Sequence, residues 1–92
     1  MNAALPQDPA LVLNAHDLSL ELDWFARVLD ARFKHYFEGR ADAAAVRSIA
    51  PPDLAGSGSA WAGFLRHYRP GWVERLAMVL GLAVYMLTAE RV

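Results

Sequence analysis

Apolar residues recur at every third or fourth position through Leu18, Leu22, Phe25, Leu29, Phe33 and Tyr36. That spacing predicts an amphipathic helix over residues 18–38, with these side chains on one stripe. Asp23, Arg27, Asp30, Lys34 and Glu38 fall on the opposite face, and Asp23–Arg27 and Asp30–Lys34 are acid-before-base pairs at i,i+4. Asp17 and Ser19 are suited to cap its start, and Gly39 to stop it. Residues 1–16 hold Pro6 and Pro9 and show no period. They predict a flexible leader ahead of a single helical domain over residues 17–92.

Three further helices follow. Asp42 can cap a short one reaching Ile49, which Pro51 and Pro52 end, because the residue before a proline avoids the helical region. The segment PPDLAGSGS, residues 51–59, is the main loop. Ser57 or Ser59 then caps a helix to Tyr68 with Trp61, Phe64, Leu65 and Tyr68 on one face, and Pro70-Gly71 breaks it. The fourth runs from Trp72 to Glu90, with Glu74 in its first turn at the positive end of the dipole. No alternating run or hairpin turn predicts a strand. The expected fold is all-α: a small four-helix, bundle-like domain with a long first helix, two short ones and a long apolar last one.

The fourth helix is apolar almost all round, which predicts burial on several sides. Ala77, Gly81 and Thr88 form a stripe of small residues suited to close approach by another helix, within the domain or across a dimer. Three other helices, one of them short, cannot cover every face of it. The larger Met78, Leu82, Tyr85 and Met86 are the expected outward contact, methionine being adaptable at binding surfaces.

Composition narrows the function. The chain has 92 residues, 55% of them hydrophobic, with nine Lys and Arg, ten Asp and Glu, a net charge of -1 and no Cys. That is one ordered domain with no disulfide framework and no thiolate metal site. Without a basic face it is not expected to bind nucleic acid. The N-terminus lacks the basic and apolar regions of a signal peptide. The longest apolar run, LAMVLGLAVYML at residues 76–87, is shorter than a membrane span requires. A cytoplasmic protein without a membrane span is expected.

Candidate chemistry is sparse. His16, His35 and His67 show no metal-ligand spacing, and boundary positions explain them better. Gly56-Ser57-Gly58-Ser59 opens a helix, as an anion-binding loop would, but no Lys-Ser or Lys-Thr follows, so a capped loop is the better reading. No catalytic residues, cofactor-binding residues or metal ligands are assigned. Arg32 stands out because it falls inside the apolar stripe of the first helix. A buried arginine needs a partner, and a structural ion pair with Asp53 or Glu74 is expected. Ten aromatic residues are a large load for so small a domain; most are expected in the core and a minority at an interface.

Several strings occur in a distinctive order: WFARVLDARFKHYF at residues 24–37, IAPPDL at 49–54, FLRHY at 64–68, then ERL at 74–76 and the apolar helix. Over about residues 20–83 this order resembles the N-terminal helical region of AAA+ ATPases encoded with extracellular contractile injection systems, the phage-tail-like particles. Members continue into an ATPase module; this sequence contains no phosphate-binding loop. Its final AVYMLTAERV also departs from the Pro and His that members tend to carry there. The resemblance implies a docking domain acting in assembly or remodelling of the particle. Its partner would be protein: a second copy in a homo-oligomer, the remainder of a larger chain, or a particle component. The rival expectation is a free-standing helical homodimer, an adaptor or antitoxin-like protein.

Overall fold

The computed structural model describes residues 8–39 and 43–89. The element order is α1 (Pro9–Phe37), α2 (Ala43–Arg47), α3 (Ala60–Tyr68) and α4 (Trp72–Ala89), with no strand among the described residues. The fold is therefore all-α, with a long first and a long last helix. Asp42 and Glu90, the expected cap of the second helix and end of the fourth, lie outside the described residues, as do residues 1–7.

α1 starts earlier than the apolar pattern implies. Asp8 is its N-cap, with Oδ1 accepting from the Ala10 amide at 2.9 Å, and Pro9 occupies the first turn. Proline suits that place because its missing N–H has no partner there in any helix. Residues 9–16 are thus the first two turns of α1 and not a loose leader. Asp17 and Ser19 are interior positions, not caps. The expected stop holds: Gly39 has φ +70°, open to glycine at little steric cost. Ser59 caps α3 through the Ala62 amide at 3.0 Å, and Arg69 ends it in the left-handed region. Glu74 caps α4, its Oε1 accepting from the Gly71 amide at 3.1 Å.

α1 is the spine, and the other three helices pack on it. The core is small: Trp24 and Val28 of α1, Val46 of α2 and Val79 of α4 are buried together, with Leu22, Phe25, Trp61, Trp72 and Leu76 packed around them. The molecule is elongated, 55 × 32 × 18 Å, with a radius of gyration of 16.0 Å. A compact chain of this length would have about 12 Å.

The buried face of α1 is not the apolar stripe. It runs through Asp17, Glu21, Trp24 and Val28, all buried, and continues to half-buried Ala31 and His35. The stripe that the periodicity marks lies to one side: Leu18, Leu22 and Phe25 are half-buried, while Leu29, Phe33 and Tyr36 are exposed. Two carboxylates, Asp17 and Glu21, therefore sit inside beside Trp24 and Val28 because bonding groups are waiting there, while Asp23, Arg27, Asp30, Lys34 and Glu38 stay exposed.

Candidate interaction surface

Glu21 is the hub of the interior. Its carboxylate is fully buried and accepts from Arg75 Nε at 2.7 Å, from Arg75 Nη2 at 3.0 Å and from the Trp61 indole at 2.8 Å. The Arg75 contact is bidentate, the strong geometry for a guanidinium on a carboxylate. Arg75 also donates to the Pro52 carbonyl at 2.9 Å, and its guanidinium lies 5.8 Å from the Trp24 ring centre. Trp24 and Trp72 meet edge to face at 5.6 Å. Both indoles donate to one acceptor, the Ile49 carbonyl, at 2.9 and 3.0 Å. Proline has no N–H and disfavours helix at the residue before it. Pro51 and Pro52 thereby keep this segment out of a helix, leaving the carbonyls of Ile49 and Pro52 free to accept.

One turn before Glu21, Asp17 is also buried and accepts from the Ser57 hydroxyl. Hydrogen bonds from Ser57 and then Ser59 hold its carboxyl below the usual carboxylate range, against a smaller opposing effect of desolvation. Asn14 Oδ1 accepts from the Trp61 amide at 2.8 Å, and Arg66 donates to the Ser57 carbonyl at 2.7 Å. The GSGS segment therefore serves the fold: Ser57 ties the loop to α1 and Ser59 starts α3.

Arg32 does not join this network. It is exposed, and it pairs with neither expected carboxylate: Asp53 bonds the Ala55 amide and Glu74 the Gly71 amide. Arg32 does fall in the apolar stripe, but that stripe is not the buried one, so the residue has water and needs no partner. The buried ion pair is Glu21–Arg75. No group of three or more His, Asp or Glu among the described residues is placed to hold a metal ion.

α4 differs from expectation in the other direction. Only Val79 is buried; Trp72, Arg75, Leu76, Met78, Leu82 and Ala83 are half-buried, and the rest of the helix is exposed. Of the expected contact residues, Tyr85 and Met86 are exposed, at 70% and 42%, while Met78 and Leu82 lie on the flank. Ala77, Gly81 and Thr88 are exposed too, and a methyl group built on Gly81 would meet nothing within 4 Å. Among the described residues, no helix packs closely on the small stripe. The most prominent ridge on the outer face, Val73, Leu80, Val84 and Leu87, was not singled out by the sequence, and each of these side chains is about half or more exposed. An all-apolar helix carries no polar mark to tell its outside from its inside. By length and composition α4 could cross a membrane.

Comparison of the chain with family models, with characterised proteins and with solved structures returns no match.

Proposed function

We propose that this chain is a non-catalytic docking or oligomerisation domain that binds another protein surface through the outer face of α4. The observation that carries this reading is the run of exposed aliphatic side chains there, Val73, Leu80, Val84 and Leu87, flanked by exposed Tyr85. Monomers rarely leave contiguous apolar surface of more than a few hundred Å² uncovered, and larger patches mark interaction sites. A membrane span is the less supported occupant. Arg75 is held inside the domain by Glu21, so the free apolar stretch is residues 76–89. At 1.5 Å per residue it covers about 21 Å, short of the ~30 Å hydrocarbon core.

In the contractile-injection setting that the sequence resembles, the protein covered would be a particle component or the remainder of an ATPase chain. A free-standing cytoplasmic homodimer is the alternative, and an open reading frame running on to a GxxxxGK[ST] loop would favour the ATPase. The direct test places a photo-crosslinking amino acid at Tyr85 in the chain expressed in its own cells, with exposed Ser19 of α1 as control. Protein adducts from position 85 that position 19 does not give are expected. Adducts to lipid alone, or equal labelling from both positions, would overturn the proposal.

A further inference from the structure

The PPDL loop, α3 and the start of α4 form a cleft of about 300 Å³. Its apolar wall is Pro52, Leu54, Ala62 and Leu65, and its charged groups are Asp53, Arg66 and Arg75. That volume is at the lower end of the range for ligand pockets, ~300–1,000 Å³, and an apolar wall with a few placed polar groups is their usual make-up.

The two arginines use their nitrogens differently. Arg75 grips the Glu21 carboxylate side-on, through Nε at 2.7 Å and Nη2 at 3.0 Å. Arg66 bonds through Nη1 alone, which donates to the Ser57 carbonyl at 2.7 Å and to the Ala55 carbonyl at 3.4 Å. Those two bonds hold its guanidinium against the loop. Its Nε and Nη2, the same pair that takes a carboxylate in Arg75, bond no other described residue, and Arg66 has no carboxylate partner among the described residues. Arg75 adds a further donor to the cleft: its side chain is 14% exposed, and its Nη1 is not used by Glu21 or Pro52.

A guanidinium fork fixed in place matches the planar geometry of a carboxylate. We propose that this cleft binds a carboxylate carried beside an aliphatic group, the chemistry shared by the C-terminal residue of a peptide and a small organic acid. The apolar wall takes the aliphatic part. Asp53 limits the charge that is accepted. Its Oδ1 is committed to the Ala55 amide at 3.1 Å, and its negative charge opposes a dianion such as phosphate more than a monoanion. The site is separate from the outer face of α4 and does not depend on what that face binds.

The test follows the backbone amide resonances of Leu54, Ala55 and Arg66 in the isotope-labelled full chain. The probes are N-acetyl-leucine, a short peptide ending in leucine with a free C-terminus, the same peptide amidated, and inorganic phosphate. Saturable shifts are expected from the two carboxylates and none from the amide or from phosphate. Tighter binding of the free peptide than of N-acetyl-leucine would assign the site to a peptide terminus; equal or weaker binding would assign it to a small acid. Arg66→Lys keeps the charge and loses the fork. It should weaken carboxylate binding by about tenfold or more, the worth of a charge-assisted hydrogen bond, with resonances away from the cleft unmoved. The proposal is overturned by any of four results: no shift from either carboxylate, equal shifts from the free and amidated peptides, phosphate shifts as large as those from the carboxylates, or an unchanged affinity in Arg66→Lys.

Discussion

α1 and α4 lie against each other and are opposite in character. α1 turns two carboxylates and an asparagine toward the rest of the fold and leaves part of its apolar stripe outside. α4 contributes one fully buried side chain, Val79, and shows aliphatic residues to solvent along most of its length. Hydrophobicity alone would reverse the first assignment. What decides it is the supply of partners: Arg75, Trp61 and Ser57 bring donors, one of them a cation, to the two carboxylates, and the pairing offsets desolvation that an unpaired charge would not survive. The comparison teaches that a small domain with a thin core can be held in register by a polar seam. Its remaining apolar surface is then free for work outside the chain.

The seam should break first. Arg75→Ala leaves the Glu21 carboxylate buried without its cation, and Glu21→Ala leaves Arg75 and the Trp61 N–H unsatisfied. Each is expected to lower stability by about 3–5 kcal/mol in urea titration, a large part of the ~5–15 kcal/mol typical of a native domain. A loss below about 1 kcal/mol, the range of a surface ion pair, would show the seam to be solvated.

Ser57→Ala removes a hydrogen bond to a buried carboxylate and should lower stability by about 1–2 kcal/mol. The same contact gives a pH signature. Asp17 has a depressed folded-state pKa, so its contribution is fully present above the unfolded value near 4. It is lost as pH falls through the lower folded value. Stability measured from pH 6 downward should fall more steeply in the unmodified chain than in Asp17→Asn, in which that group no longer titrates. Parallel acid limbs would count against the Asp17–Ser57 bond.

Gly81→Ala sharpens the other side of the comparison. Helix propensity favours the alanine by about 1 kcal/mol, and nothing in the chain obstructs the added methyl group. Stability of the dilute, unassociated chain should rise by up to that amount, as read from the thermal midpoint. A fall would mean that a neighbour already occupies this space in the single chain. Arg32→Ala is the smallest effect, within about 0.5 kcal/mol, as for other exposed positions away from special features; a loss of several kcal/mol would restore the buried pair with Asp53 or Glu74.

Local signals in the sequence carried the architecture. Ser59 as cap, Gly39 as stop, Pro51-Pro52 and Pro70-Gly71 as breaks all act through neighbouring backbone, and their effects are local. The start of α1 was legible as well, since Asp8-Pro9 is a cap followed by a first-turn proline, but the absence of apolar period over residues 9–16 hid it. The inner face of α1 was not legible. Glu21 and its partners Trp61 and Arg75 are 40 and 54 positions apart in sequence, and no periodicity connects a carboxylate to a donor that distant. The outer face of α4 escaped for the opposite reason: every face of that helix is apolar, so the pattern shows that burial is needed without showing where.

Asp17 and Glu21 of α1 are held inside the fold, while the apolar ridge of α4 is left open by the rest of the chain. Hydroxyl-radical footprinting of the dilute purified chain, and of the same chain in an extract of its own cells, reads both at once. The prediction is protection of Trp24 and Val79 in both settings, with Leu80, Val84 and Leu87 reactive in the purified chain and protected together in the extract. Equal reactivity of Leu80, Val84 and Leu87 in the two settings, or a Trp24 as reactive as they are, would contradict it.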